Sequence, residues 1–491
     1  MSLRREHFEA LFEPRGVVVA GASTHPGKFG FVSLHNLLAS GYQGAVHATN
    51  LAGETVLGIQ TVRSIDDLPS GEIDLMFVCT PASTNPDLLR SAAAKGIRAA
   101  FITSAGYGEA GEEGRRAQRE LVDLADSLDM IVVGPNGQGV VSTPAHLCAQ
   151  IVAPYPPAGR IGVASQSGNF VSSFMNFAVG SGIGISRAVS AGNAAQVGVT
   201  DFLRYYSEDE ATGVGLAYVE GIDDGPGFVD GLAEAASRMP VVLVKGGATA
   251  GGARAASSHT GALATDDAVF DGVCRQLGVV RAPTVESAYE TAASFVTQPL
   301  PRGPRTAVLT TAGGWGVVTA DAIHRSSLEL VDLPEDLVAA IDTKLPPRWS
   351  RGNPVDMAGG ETRDTIPEVM RLIAEHDAVD AIIYLGLGIQ SNQASMMARG
   401  PFYPDHGLER IVAYHERQDR RFAEAAAAVS AETGKPILTA TELAATDPAN
   451  AGPVAVRESG RLCYRSADRA VAALDAMWRY ARHRRRHGLG V

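Results

Sequence analysis

Apolar residues along this chain come in short unbroken runs rather than in strict alternation. Gly16-Val-Val-Val-Ala-Gly21, Gly44-Ala-Val-His-Ala-Thr-Asn50, Ile73-Asp-Leu-Met-Phe-Val-Cys79, Ala99-Ala-Phe-Ile-Thr103 and Met130-Ile-Val-Val-Gly134 are runs of this kind. A strand that is apolar on both faces predicts a mainly parallel sheet covered on both sides. Stretches with a helical stripe stand between the runs, as over 31–40, which gives the alternation of a doubly wound α/β unit. The scheme recurs with strands predicted over 161–165, 185–190, 213–219 and 241–245 and helices over 200–206 and 228–238. It recurs again over 306–311, 328–333, 381–386 and 436–440.

Two proline-rich joints punctuate the repeats: Ala153-Pro-Tyr-Pro-Pro-Ala-Gly159 and Gln298-Pro-Leu-Pro-Arg-Gly-Pro304. Each runs directly into a new β-branched strand, as the start of an α/β domain does. At 491 residues the chain is too long for one core. The expectation is three tandem α/β domains, 1–150, 151–299 and 300–491.

Composition narrows the partners. A formal net charge of −12 argues against a nucleic-acid surface. The basic tail Arg482-His-Arg-Arg-Arg-His487 reads as a cationic last helical turn facing its own dipole. Cys79, Cys148, Cys274 and Cys463 are far apart and form no zinc pattern, so no metal site is expected and the thiols fit a reducing cytosol. No apolar run approaches the roughly 18 residues needed to cross a bilayer, and the first residues are charged, which predicts a cytoplasmic protein.

Glycine-rich turns open each repeat, where a doubly wound sheet binds ligands. The first, Gly21-Ala-Ser-Thr-His-Pro-Gly-Lys-Phe-Gly30, matches neither the dinucleotide fingerprint nor the P-loop spacing. Asn50 stands where an NAD site wants an acid, so NAD is disfavoured and another phosphorylated nucleotide stays open; Lys28 is a candidate phosphate contact. The second corner, Val163-Ala-Ser-Gln-Ser-Gly-Asn-Phe170, offers Ser165, Ser167 and Gly168 to an anion, or serves as a plain cap and turn. The third, Leu309-Thr-Thr-Ala-Gly-Gly-Trp-Gly316, contributes Gly313, Gly314 and Gly316.

Two residues carry candidate chemistry. Glu220 closes the predicted strand Leu216-Ala-Tyr-Val on the same rim as the Ser165 turn. His259 lies in Ser257-Ser-His-Thr-Gly-Ala-Leu263, where small residues and Gly261 let a loop approach an anion. A largely neutral imidazole can attack phosphorus, and a carboxylate on its other nitrogen fixes the tautomer.

Gly21-Ala-Ser, Gly134-Pro-Asn-Gly, Ser165-Gln-Ser-Gly, Val219-Glu-Gly and the His259 loop follow the order seen in ADP-forming acyl-CoA synthetases. Over its whole length, including Arg351-Gly-Asn-Pro-Val-Asp356, the chain resembles their alpha subunit and, more distantly, that of succinyl-CoA synthetase. The resemblance implies a Rossmann-like CoA-binding domain followed by two flavodoxin-like ligase domains. CoA would lie against Gly21, Ser23, Lys28, Gly30, Asn50, Thr80 and Pro81. Phosphate would displace CoA from an acyl-CoA, and His259, oriented by Glu220, would take the phosphoryl group from the acyl phosphate. Ser165, Ser167, Gly168, Gly261, Gly313, Gly314 and Gly316 would surround that phosphate. ADP or ATP with Mg²⁺ would sit on a partner ATP-grasp beta subunit, giving a hetero-oligomer.

The chain departs from the family pattern at Leu51, at Gly137-Gln138 and at Trp315. No basic residue stands within Ala312–Gly316, which points to a monocarboxylic acid. Two other readings use the same features: a regulatory CoA- or acyl-CoA-binding protein without turnover, and an ATP-independent acyl or carbamoyl transferase.

Overall fold

The computed structural model describes residues 3–249, 251–252, 254, 266–357 and 364–490. They divide into two compact units, one holding 1–180 and 184–289, the other 181–183 and 290–491.

The first unit holds two sheets. The first has five parallel strands in the order Ala45–Thr49, Gly16–Ala20, Leu75–Val78, Ala99–Ile102, Ile131–Val133. Alternate residues of one strand enter different cores: Val17 and Val19 join one cluster, Val18 and Ala20 the other. Both faces are therefore covered, which is why these strands read as unbroken apolar runs. Chain order reverses between Gly16–Ala20 and Leu75–Val78, so a crevice opens at their carboxyl ends.

The second sheet has seven strands, in the order Val280–Arg281, Val241–Lys245, Val214–Val219, Ala158–Ser165, Ile185–Ser190, Gly139–Ser142, Leu147–Gln150. The first five are parallel, and their order reverses between Ala158–Ser165 and Val214–Val219. The last two form an antiparallel hairpin that the sequence did not announce. It follows the last strand of the first sheet and pairs with Ile185–Ser190, so residues on both sides of the 153–159 joint lie in one unit.

The helix Arg5–Phe12 strengthens that union. Phe8 and Phe12 stack on Tyr205 at centroid distances of 5.0 and 5.4 Å. Next to them Arg187, 1% exposed, binds Asp209 at 3.1 Å and also reaches Glu13 and Ser142. A buried guanidinium needs this many acceptors, and loss of one carboxylate partner would cost about 3–5 kcal/mol.

The second unit has one sheet, ordered Glu329–Leu330, Arg305–Thr310, Ala381–Leu385, Ile437–Ala440, Cys463–Tyr464, all parallel; Val355–Asp356 pairs the end of Arg305–Thr310. Setting aside the hairpin and the two-residue strand Val355–Asp356, all three sheets share one winding: the second strand in chain order lies outside the first, and the third lies on its other side. No helix among the described residues is long and apolar enough to cross a membrane.

Candidate active site

The first corner sits at the reversal of the first sheet. A Cβ on Gly30 would stand 2.0 Å from the Gly21 carbonyl oxygen, and one on Gly21, whose φ is +87°, would meet Thr80 at 2.6 Å. Only glycines let the turn close against the next helix here. Ser23 Oγ accepts from His25 N at 3.1 Å, and His25 Nδ1 accepts from Gly27 N at 3.0 Å, so side chains shape the loop. Asn50 ties the rim together: Nδ2 donates to Ala22 O at 3.0 Å and Oδ1 accepts from Ala52 N at 2.8 Å. Lys28 and Pro81 are exposed beside it, and Thr80 Oγ1 accepts from Thr84 Oγ1 at 2.8 Å. The corner brings Gly21, Gly30 and Thr80 into contact.

In the second sheet, Ser165 ends its strand fully buried. Its hydroxyl donates to Ser167 O at 2.7 Å and accepts from Ser167 N at 3.1 Å. Ser165 thus shapes the turn from within, while Ser167 and Gly168 are left to open the helix Gly168–Ser181. Gln166 crosses to the neighbouring strand end. Its Nε2 donates to Gly221 O at 3.0 Å, and its Oε1 accepts from the backbone N–H groups of Glu220 and Gly221. Tyr218, in register with Ser165, lies edge-on to Phe170 at 4.4 Å. Burial raises the Tyr218 phenol above its ordinary range, and the negative charge of Glu220 and a hydrogen bond to it push it further. The phenol therefore stays protonated beside Glu220.

Ser167, Gly168 and Glu220 line one cleft of about 410 Å³ with Gln138, Asn136, Asn193, Glu109, Gln118 and Arg115. Asn136 and Gln138 lie in and just after the Gly134-Pro-Asn-Gly motif, whereas Asn193, Glu109, Gln118 and Arg115 come from segments that the sequence left unassigned. Asn193 Nδ2 donates to Glu109 and to Gln118 Oε1, the latter at 3.0 Å. Burial pulls the Glu109 carboxyl up, but Asn193 and the Gly106 and Tyr107 N–H groups outweigh it and hold it below its ordinary value. The lengths of the loops in which these residues sit hid them; their polar character in otherwise apolar strand–helix punctuation was the available signal.

His259 and Gly261 lie outside the described residues. In the second unit, Gly313, Gly314 and Gly316 open the helix Gly313–His324 as expected. The Asp356 carboxylate stands against this helix start, 2.7 Å from where a Cβ of Gly313 would be. A phosphate at this corner would meet like charge. Among the described residues no His, Cys, Asp and Glu group could hold a metal ion.

A family described as a CoA binding domain matches residues 15–143, one described as a succinyl-CoA ligase like flavodoxin domain matches 158–295, and a Ligase-CoA domain matches 306–391. The chain is 31% identical over 483 residues to the alpha subunit of ADP-forming acetate–CoA ligase I of Pyrococcus furiosus, covering 98% of this chain and 99% of that one. It is 35% identical over 374 residues to the alpha subunit of ligase II of the same organism, covering 76% and 81%. Among solved structures, the dinucleotide forming acetyl-coenzyme A synthetase 1 of Ca. Korarchaeum cryptofilum, in complex with phosphate and ADP, superposes with a TM-score of 0.82 at 29% identity, covering 99% of each chain. The chain belongs to the family of ADP-forming acyl-CoA synthetases, among their alpha subunits. It also spans 54% of the length of the Archaeoglobus fulgidus ADP-forming acetate–CoA ligase I, at 34% identity over 375 residues.

Proposed function

We propose that this chain is the CoA-binding and phosphoryl-carrying subunit of an enzyme that interconverts acyl-CoA, ADP and phosphate with a carboxylic acid, CoA and ATP. The observation that carries the reading is the meeting of the Ser167–Gly168 helix start and Glu220 in a cleft shared with the first sheet's rim. From Gly16–Ala20 to Ile131–Val133 is three strand steps, or about 14 Å. CoA held at the Gly21–Gly30 corner, with Ser23, Lys28, Asn50, Thr80 and Pro81 around it, extends its pantetheine arm along that rim. The thioester then arrives where the Gly168 helix start holds phosphate.

Phosphate oxygen attacks the acyl carbon, the C–S bond breaks, and the thiolate leaves and takes a proton. The acyl phosphate is then attacked at phosphorus by a ring nitrogen of His259, the P–O bond to the acyl group breaks, and the carboxylate departs. The Gly168 helix dipole and Ser167 stabilise the negative oxygens. Glu220, held by Gln166 and next to Tyr218, accepts from the other ring nitrogen and stabilises the imidazolium-like charge.

Phosphohistidine passes its phosphoryl group to ADP with Mg²⁺ on an ATP-grasp partner subunit. The naming of the relatives as alpha subunits supports a partner, as does the extra length of the Archaeoglobus fulgidus ligase. These ligase names also favour turnover over a CoA-binding regulator or an ATP-independent transferase. The test is ATP formation from acyl-CoA, ADP and phosphate by the purified chain with and without the ATP-grasp partner. Activity only with both is expected; full activity of this chain alone would contradict the assignment.

A further inference from the structure

Tyr218 and Glu220 stand two residues apart at the carboxyl end of the strand Val214–Val219, so their side chains leave the same face of the sheet. Gln166 holds the Glu220 main chain, but the carboxylate lies beyond further torsions that those contacts do not restrict. Tyr218 supplies that restraint through a hydrogen bond between its phenol and the carboxylate. Burial and the Glu220 charge keep the phenol protonated, so the hydroxyl donates and the carboxylate accepts.

Packing holds the phenol in turn. Tyr218 is 8% exposed. Its ring lies edge-on to Phe170, with centroids 4.4 Å apart and planes at 68°. Phe170 stands in the first turn of the helix Gly168–Ser181. Gly246, whose N–H donates to Val219 O at 2.8 Å, packs against the hydroxyl end. A Cβ there would lie 2.6 Å from the Tyr218 hydroxyl oxygen and 3.2 Å from Glu220 Cγ. The missing methyl group leaves the room in which hydroxyl and carboxylate meet. One side chain thus joins the helix start, the carboxylate and the residue that follows the strand Val241–Lys245.

We propose that Tyr218 is a positioning residue for phosphoryl transfer, its hydroxyl holding the Glu220 carboxylate in the orientation that accepts from the His259 ring. This rests on the phosphohistidine reading above and adds the group that aims its carboxylate. The Tyr218 proton is not transferred: it stays on the phenol oxygen while the phosphoryl group passes to the histidine nitrogen. A carboxylate fixed beforehand needs no reorientation as the imidazolium-like charge forms. Loss of the hydroxyl therefore slows the step without weakening substrate binding. A merely structural tyrosine would change stability and leave the rate alone.

The experiment measures, by rapid quench, labelling of the full chain by γ-labelled ATP with Mg²⁺ and the ATP-grasp partner. Wild type, Y218F, E220A, Y218F/E220A and G246A are compared, with CD spectra confirming that each is folded. Y218F keeps the ring against Phe170 and removes only the hydroxyl, whereas G246A keeps the hydroxyl and crowds it off the carboxylate. The expected result is a maximal rate about tenfold lower in Y218F, with the half-saturating ATP concentration unchanged. G246A should slow similarly, and Y218F should cost nothing further once Glu220 is alanine. A wild-type rate in Y218F or G246A, an effect confined to half-saturation, or losses that multiply in Y218F/E220A would overturn the proposal. Absence of label on wild type would sink the phosphohistidine reading and this proposal with it. A slow E220A beside an unaffected Y218F would sink the proposal alone.

Discussion

The side chain of Gln166 clasps the backbone of Glu220, accepting from the N–H groups of Glu220 and Gly221 and donating to Gly221 O at 3.0 Å. One amide thus fixes the strand-end carboxylate relative to the Ser165 turn, although the two belong to different strands. Replacing Gln166 with Leu leaves three backbone groups without this partner. The expected cost is about 1–3 kcal/mol by urea unfolding. Because Glu220 is then free to shift, phosphoryl transfer should slow roughly tenfold, equal to about 1.4 kcal/mol. A stability loss with unchanged turnover would detach Gln166 from the chemistry.

Ser165 and Thr310 make the same turn in different units. Thr310 Oγ1 donates to Ala312 O at 2.9 Å and accepts from Ala312 N at 3.1 Å, as Ser165 does with Ser167. S165A and T310V should each destabilise by about 1–2 kcal/mol. Only S165A should raise the KM for phosphate, because Asp356 already stands at the helix start that follows Thr310. Equal effects on phosphate in steady-state assays would mean that both corners bind it.

The Glu109–Asn193 contact makes a pH-dependent prediction. The folded Glu109 pKa lies below its ordinary value of 4.5. A depressed carboxylate contributes stability that is fully present above pH 4.5 and lost as pH falls through the lowered folded value. N193A removes the largest hydrogen bond that favours the charged form. Urea unfolding should therefore show wild type more stable than N193A at pH 7, with the gap narrowing below pH 4.5. A gap that widens in acid would refute the assignment.

The sequence made the winding legible because both faces of each sheet are covered, so strands such as Gly16–Ala20 and Val214–Val219 are apolar throughout. It also marked the rim residues Gly21, Gly30, Ser165, Gly168 and Glu220, since glycines and a carboxylate at strand ends stand out against such runs. The hairpin Gly139–Gln150 was hidden because its strands are four residues each and its first strand pairs with a strand of the next repeat. Arg115 and Asn193 were missed for a related reason. A helix-surface arginine and a loop asparagine look ordinary until two sheets are packed into one unit and both line the same cleft. The shape of the Thr310 corner was read correctly, but the carboxylate of Asp356 beside it depends on a short strand pairing that no local pattern announces.

Glu220→Gln should retain the fold and the Gln166 contacts, which use the backbone, yet slow phosphoryl transfer by about 10²-fold. Stopped-flow or quench-flow measurement of the phosphorylation step separates this from binding. An unchanged rate would return Glu220 to a plain strand-end carboxylate.

The central claim is that His259 carries the phosphoryl group. Incubation of the full chain and its ATP-grasp partner with γ-labelled ATP and Mg²⁺ should place an acid-labile, base-stable label on this chain, discharged by CoA and acid together. The same incubation with H259N should leave the chain unlabelled while CoA binding persists. Label retained in H259N, or ATP formation by that variant, would contradict the account.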